Sequence, residues 1–466
     1  MSAPKNGTDA RAPAPSHMPS HILSNGTIAC FALPVMASGY MFCIVSLYAM
    51  KFATDVLLIA PAVMGLLFGI SRLWDAVSDP LVGYWSDGTR SRLGRRRPWI
   101  LAAMLPVVLS FWMLFSPPAS LSTGQLAVWM GVAIVGFYTA QTLMVIPHMS
   151  LGAELSQEPH NRNKIFGARH AGWISGYIVA LVTLYLLLNA EGESAAAVRA
   201  LASEQTFYIG VIALLCFGLC VWAVRERSDY AGRGGHNPLR ALRDLWRNGP
   251  ARLILIVHFV QEVAMSSITI LTVYVAEYVA HVPRAAPLFI LCYLVFSVAP
   301  TPLWIALARR WGKKRLWIAS LLFSGVAFGG MYFVGPGDII LLLVLAALAG
   351  LVGGCGYVVG PAALSDVIDL DEYRTGERKE GAYAAGWYFV QKSAYGIMLV
   401  ITGFALSWAG FVPKVEQTAE VIFVLRFLYA LLPLICFLLA AVMFVRYTLD
   451  EAAHTEIVRA LKAKPA

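Results

Sequence analysis

Runs of roughly 20 apolar residues recur from one end of this chain to the other, each long enough to carry a helix across the ~30 Å hydrocarbon core of a bilayer. Hydropathy places them near 28–52, 60–86, 98–117, 124–150, 166–190 and 204–225. A second set lies near 252–280, 285–308, 315–335, 338–364, 383–409 and 420–446. Only helices and closed barrels satisfy their backbone polar groups in lipid, and segments of this length are helical. The charged fraction agrees: Asp, Glu, Lys and Arg make up 14% of the 466 residues, against about a quarter in a soluble domain. The expected fold class is therefore all-α integral membrane, with twelve transmembrane helices.

The formal charge of +9 is a topology signal rather than a nucleic-acid footprint, because the basic residues alternate between loops instead of forming a stripe. Of the 36 Lys and Arg, twenty-nine fall in the two tails and the alternate connections assigned to the cytoplasm. Lys51, Arg199, Arg284 and Lys414 are assigned to outer loops, and Arg72, Lys392 and Arg426 lie within spans. That bias puts both termini in the cytoplasm of a multi-pass inner-membrane protein. The seven cysteines all sit in apolar segments without ligand spacing, so neither a disulfide framework nor a zinc site is expected.

The polar stretch 226–251 divides the spans six and six. A basic turn, Gly94-Arg95-Arg96-Arg97, follows span 2 and is echoed by Gly312-Lys313-Lys314-Arg315 after span 8. Parallel six-helix halves with a substrate site between them define the major facilitator architecture. The expected order is a disordered tail (1–26), a bundle (27–225), a middle loop (226–251), a second bundle (252–447) and a tail (448–466).

An ionised side chain at mid-bilayer costs about 3 kcal/mol or more and needs a partner or a role. Span 2 holds Arg72, Asp75 and Asp79 at i, i+3 and i+7, within about 60° on one helical face. Two carboxylates a turn apart repel unless a cation or a proton lies between them, which is the electrostatic requirement for a reversible cation site. A permanent ion network is the alternative reading. Span 11 supplies a second base, Lys392, next to Gln391, able to stand in for the cation. Glu262, near His258 in span 7, either lines the cavity or pairs with the middle loop. Arg426 is expected to snorkel at the outer end of span 12. Gly350, Gly353, Gly354 and Gly356 suggest close helix approach in span 10.

The run Arg72-Leu-Trp-Asp75-Ala-Val-Ser78-Asp79-Pro80 and the continuation Ser86-Asp87-Gly-Thr-Arg90-Ser-Arg92-Leu-Gly-Arg95-Arg96-Arg97-Pro98 resemble the signature of glycoside–pentoside–hexuronide:cation symporters. Pro147-His-Met-Ser-Leu-Gly-Ala-Glu154 and Ser365-Asp366-Val-Ile-Asp369-Leu-Asp371-Glu372-Tyr-Arg374-Thr-Gly-Glu377-Arg378 extend the resemblance. It implies a cation-coupled symporter of the major facilitator fold. Asp75, Asp79, Thr142 and Ser78 would form the cation site, and Lys392 and Arg72 would serve coupling. No cofactor is implied beyond Na+ or H+ as coupling ion. Ser78 stands where a Na+-using permease of the family has asparagine, so the choice of ion stays open. Arg169 matches the family's sugar-side arginine. The family's two galactoside-binding aspartates fall at Gly39 and Val145 here, so galactoside chemistry does not transfer.

Further cargo candidates are Tyr40, Trp173, Trp387, Gln391 and Glu262, with Tyr48 and Tyr388 as additional aromatic surface. Asp87, Arg90, Arg95 and Arg96 are expected to lock the cytoplasmic side. The partners expected are a small sugar-like solute and membrane lipid, with no nucleic acid, and the carrier is expected to be a monomer. A lysophospholipid cargo is one rival reading. An integral membrane enzyme is the other, and it finds no nucleophile–base pair or metal constellation in the sequence.

Overall fold

A computed structural model describes residues 24–155, 159–190, 194–226, 245–376, 380–449 and 451–463. Most of the expected N-terminal tail and middle loop lie outside these residues, as do Glu377 and Arg378 and the side chain of Asp87. The described residues are helical throughout and make twelve passes. Spans 1 to 6 are Asn25–Ala49, Pro61–Gly88, Arg97–Phe115, Thr123–Glu154, Pro159–Ala190 and Ala195–Ala223. Span 7 is Gly249–Val279. Span 8 is the pair Pro283–Val298 and Thr301–Trp311, bent by 45° where Pro300 lacks an amide to donate. Spans 9 to 12 are Lys313–Phe333, Ile339–Thr375, Glu380–Trp408 and Ala419–Phe444. A further helix, Glu451–Ala463, follows.

Ten of these helices are long and apolar enough to span alone, and the bent pair makes an eleventh. The remaining one is span 2, whose length suffices but whose hydropathy is lowered by Arg72, Asp75 and Asp79. Several helices outrun the apolar stretches that betray them. Span 10 continues past Asp366, Asp369 and Asp371 to Thr375, where Gly376 takes a left-handed φ of 75° and stops it. Span 6 starts at Ala195 because Ser194 caps it, accepting a bond from the Ala197 amide. The two basic turns are structurally equivalent: Gly94 and Gly312 both adopt positive φ, 106° and 82°, a conformation that strains residues with a Cβ.

Close approach decides where the helices meet. A Cβ on Gly39 of span 1 would lie 2.4 Å from the Trp173 carbonyl oxygen of span 5, so no side chain of any kind fits there. In span 10, Gly350 and Gly354 would clash with the Tyr293 and Ser297 carbonyls of span 8 at 2.4 and 2.2 Å, which is the close packing expected of that glycine run. Spans 2 and 11 join the halves, and Gly396 leaves room for the Arg72 side chain, 2.5 Å from where its Cβ would stand. One assignment needs correction. Lys51 is not in an outer loop: the span 1 helix continues through it into a π-helical turn at Phe52–Val56, and Lys51 is fully buried.

Candidate functional site

The span 2 face meets span 4 of its own half and span 11 of the other half. Arg72 Nη1 donates to Asp75 Oδ2 at 3.0 Å. Its guanidinium lies 3.7 Å from the Tyr138 ring centre and 4.9 Å from that of Tyr395, so two π faces hold a charge already neutralised by Asp75. Lys392 reaches across from span 11, bonds Asp79 Oδ2 and stands 3.7 Å from Asp75 Oδ2. Thr142 Oγ1 of span 4 donates to Asp79 Oδ1 at 2.8 Å. Thus Arg72, Asp75, Asp79, Thr142 and Lys392 converge as the sequence pattern suggested. Ser78 differs, since its hydroxyl turns back to the Asp75 carbonyl at 3.5 Å.

Two acids and two bases balance in charge, yet the two pairs differ in exposure. The Arg72 and Asp75 side chains are 6% and 2% exposed, whereas Lys392 and Asp79 are 32% and 24% exposed. The first pair is sealed, and separating it would leave an uncompensated buried charge. The second is reachable and can exchange partners. Asp75 Oδ1, buried and without a hydrogen-bond partner, supplies a spare oxygen beside it, and hard cations favour such oxygens.

A second polar cluster lies between spans 7 and 11. Glu262 is buried, its Oε2 accepts from Gln391 Nε2 at 3.4 Å, and its Oε1 is 3.8 Å from His258 Nδ1. His258 stacks on Trp387 with ring centres 3.5 Å apart. Glu262 thus belongs to a patch shared with Gln391 and Trp387; most of the middle loop of its other reading lies outside the described residues. On the other side, Arg169 of span 5 is half-buried and its Nε has no partner. Trp173 is half-buried against Phe42, and Tyr388 is exposed. Tyr40 is buried and donates to Thr183 at 2.7 Å, and Tyr48 is buried and stacks on Phe115. Both of these tyrosines pack inside the N-terminal bundle.

In the turn between spans 2 and 3, Arg95 and Arg96 converge on Glu154 Oε1, the former at 2.6 Å and the latter at 3.0 Å. Glu226 accepts the backbone amides of Arg95, Arg96 and Arg97, while Arg90 is exposed. Among the described residues, Glu154 and Glu226, which accept from Arg95 and Arg96, belong to the same half. Lys313 repeats the arrangement in the other half, bonding Asp366 at 2.5 Å. Sequence reasoning missed the tyrosines around Arg72, and it missed a cluster in which Lys51 and Asp55 are buried and Glu277 is half-buried. Arg426 is half-buried and donates to the carbonyl of Val334, just past the end of span 9, at 3.0 Å.

The model of a family described as MFS/sugar transport protein matches residues 30–451. The isoprimeverose transporter of Lactiplantibacillus pentosus is 28% identical, covering 90% of this chain and 88% of the relative. A glucuronide carrier protein homolog of Escherichia coli (strain K12) is 26% identical, over 94% of this chain and 95% of the relative. The crystal structure of a D-xylose-proton symporter superposes with a TM-score of 0.69 at 16% identity, covering 91% of this chain and 98% of that one.

Proposed function

The chain belongs to the MFS/sugar transport protein family, and from that premise we propose that it is a cation-coupled symporter of a glycoside or other sugar-like solute. It is a transporter and not an enzyme. The proposed cycle is alternating access between the two six-helix halves, with both termini in the cytoplasm of an inner membrane.

One observation carries the coupling step. Asp79 is held by an ammonium that comes from the opposite half, while its neighbour Asp75 keeps a guanidinium of its own. A Na+ ion or a proton reaching the exposed pair competes with Lys392 for the same carboxylate, since a second positive charge there is repelled. Thr142 and the spare Asp75 oxygen complete the ligands for a metal cation, whereas a proton needs only Asp79. Either way Lys392 is released from the N-terminal half, and the bond between halves at mid-membrane changes with cation loading. The sugar-like class is supported by the names of the relatives. Arg169 and Trp173 from one half, and Trp387, Gln391 and Glu262 from the other, are the cargo-facing groups of this reading. Because no side chain fits at Gly39, hydroxyl acceptors come from elsewhere, and Glu262 is the carboxylate available in the second half.

The test is uptake into proteoliposomes under imposed Na+ or H+ gradients, with a panel of radiolabelled sugars and lysolipids. One gradient is expected to drive accumulation of a sugar-like solute, and Asp79→Asn to abolish accumulation while exchange of cargo down its gradient persists. An Asp79→Asn carrier that still concentrates cargo would overturn the mechanism.

A further inference from the structure

The outer ends of spans 1 and 7 are copies of one another. Span 1 closes in a π-helical turn at Phe52–Val56, and span 7 in one at Val275–Val279, an offset of 223 residues (Phe52 to Val275). The backbone bonds repeat at that offset. Leu57 N donates to Phe52 O at 3.1 Å and Ile59 N to Ala53 O at 2.9 Å. Ala280 N donates to Val275 O at 2.9 Å and Val282 N to Ala276 O at 2.7 Å. Leu58 and His281, two of the three described non-glycine residues with positive φ, take 57° and 56° at the same register. π-turns and left-handed non-glycine residues both cost conformational energy and cluster at functional positions.

The side chains obey the same symmetry. At this offset Lys51, Thr54 and Asp55 correspond to Tyr274, Glu277 and Tyr278. Lys51 pairs with Glu277, and its symmetry counterpart is the 2.9 Å contact of Thr54 with Tyr274. Tyr278 donates to Asp55 at 2.6 Å, a contact between two equivalent positions and so on the pseudo-two-fold axis itself. Lys51, Thr54, Asp55 and Tyr274 are all buried.

We propose that this pseudo-symmetric cluster is the outer gate of the carrier, and that Lys51–Glu277 is the ion pair it breaks and remakes in each cycle. The proposal rests on alternating access, because a permanent staple between spans 1 and 7 would forbid the halves to part. Its charges are arranged for reversible release. Lys51 also bonds Asp55, four residues on in its own helix, at 2.6 Å. When span 7 withdraws, the ammonium therefore keeps one carboxylate and is never left unpaired, the condition under which breaking a buried pair is most costly. Glu277, already 20% exposed, is the partner that water can take up.

A cysteine at Ser46, five residues and about 7.5 Å inside Lys51 along span 1, reports opening from outside. A membrane-impermeant maleimide is applied to intact cells, with the parent lacking the reporter as background for the native cysteines. Glu277→Gln is expected to raise the labelling rate at least tenfold, the population shift that follows loss of an ion pair between the halves. Tyr278→Phe, which spares the ion pair but removes a hydrogen bond to the Asp55 carboxylate, is expected to raise it about tenfold as well, and Glu277→Asp to restore the low rate. Labelling at or below the wild-type rate in both Glu277→Gln and Tyr278→Phe, with normal amounts of protein in the membrane, would overturn the gate. The assay needs neither cargo nor coupling ion, so a gate that opens as expected in a protein that transports no sugar would refute the symport reading alone.

Discussion

On the proposed topology, the outer and cytoplasmic ends of this molecule are built on the same internal repeat, and the ion pairs described at each differ. At the outer end the repeat is joined across the halves: Lys51 pairs with Glu277 and Tyr278 bonds Asp55. At the cytoplasmic end of that topology, the ion pairs among the described residues include ones inside each half, Arg95 and Arg96 to Glu154 and Lys313 to Asp366. Contacts that cross between halves have to break in every turnover, whereas contacts within a half have to survive it. The first kind sets which side is closed and how transport is coupled. The second keeps each six-helix bundle a rigid body. At mid-membrane both kinds sit side by side, Asp79–Lys392 crossing and Arg72–Asp75 internal.

The largest test of this distinction compares the two aspartates. Asp75→Asn strips a buried guanidinium of the one carboxylate it bonds among the described residues, and breaking such a pair costs about 3–5 kcal/mol. The expected result is a severe loss of folded protein, read as a lowered unfolding midpoint and reduced membrane yield. Asp79→Asn takes the nearer carboxylate from a half-buried lysine that still has Asp75 within 3.7 Å, and should leave the unfolding midpoint close to that of wild type while abolishing coupling. In wild type, cargo affinity should rise with Na+ or with falling pH by roughly 5- to 150-fold, the usual range of linkage between two ligands. Asp79→Asn should flatten that dependence. Equal destabilisation by the two substitutions would erase the contrast between a sealed and an exchangeable pair.

Glu154→Gln is next in size. It removes the negative charge on the oxygen that accepts three guanidinium bonds, from Arg95 Nη2 and from Arg96 Nε and Nη2, at a cost of roughly 2 kcal/mol. An internal brace predicts a lower unfolding midpoint with unchanged outer accessibility at Ser46→Cys. If outer labelling instead fell sharply, the arginines would be biasing the carrier between its two faces, and the cytoplasmic end would belong with the crossing contacts.

Much of this was legible in the residues and some was not, for identifiable reasons. Twelve passes followed from apolar length, and the family follows from the span 2 and loop motifs, whose resemblance the match over residues 30–451 bears out. The meeting of Asp75, Asp79, Thr142 and Lys392 was readable because buried charges demand partners. Lys51 was misplaced for the converse reason: a lysine at the end of an apolar run looks like a loop flank, and what buries it is span 7, more than 220 residues away. Tyr138 and Tyr395 gave no signal because aromatic residues in membrane helices are mostly packing, and only the fold brings both rings onto Arg72. Span 10 was cut short at its change of polarity, although the helix itself runs on to Gly376.

The smallest expected effect separates position from connectivity. Arg426 lies at the outer end, near the proposed gate in depth, but its guanidinium donates to the Val334 carbonyl at 3.0 Å and faces the Tyr332 ring 5.9 Å away, both in its own half. If nearness to the outer face were what made a charge part of the gate, Arg426→Gln would raise labelling at Ser46→Cys as Glu277→Gln does. If crossing between halves is what matters, the substitution removes one internal hydrogen bond, about 1 kcal/mol. The carrier would then show a slightly lower unfolding midpoint, wild-type outer labelling and wild-type accumulation of cargo. An increase in labelling beyond about twofold, less than the effect of one neutral bond, would mean that the outer end responds as a whole, and the division into crossing and internal contacts would fail there.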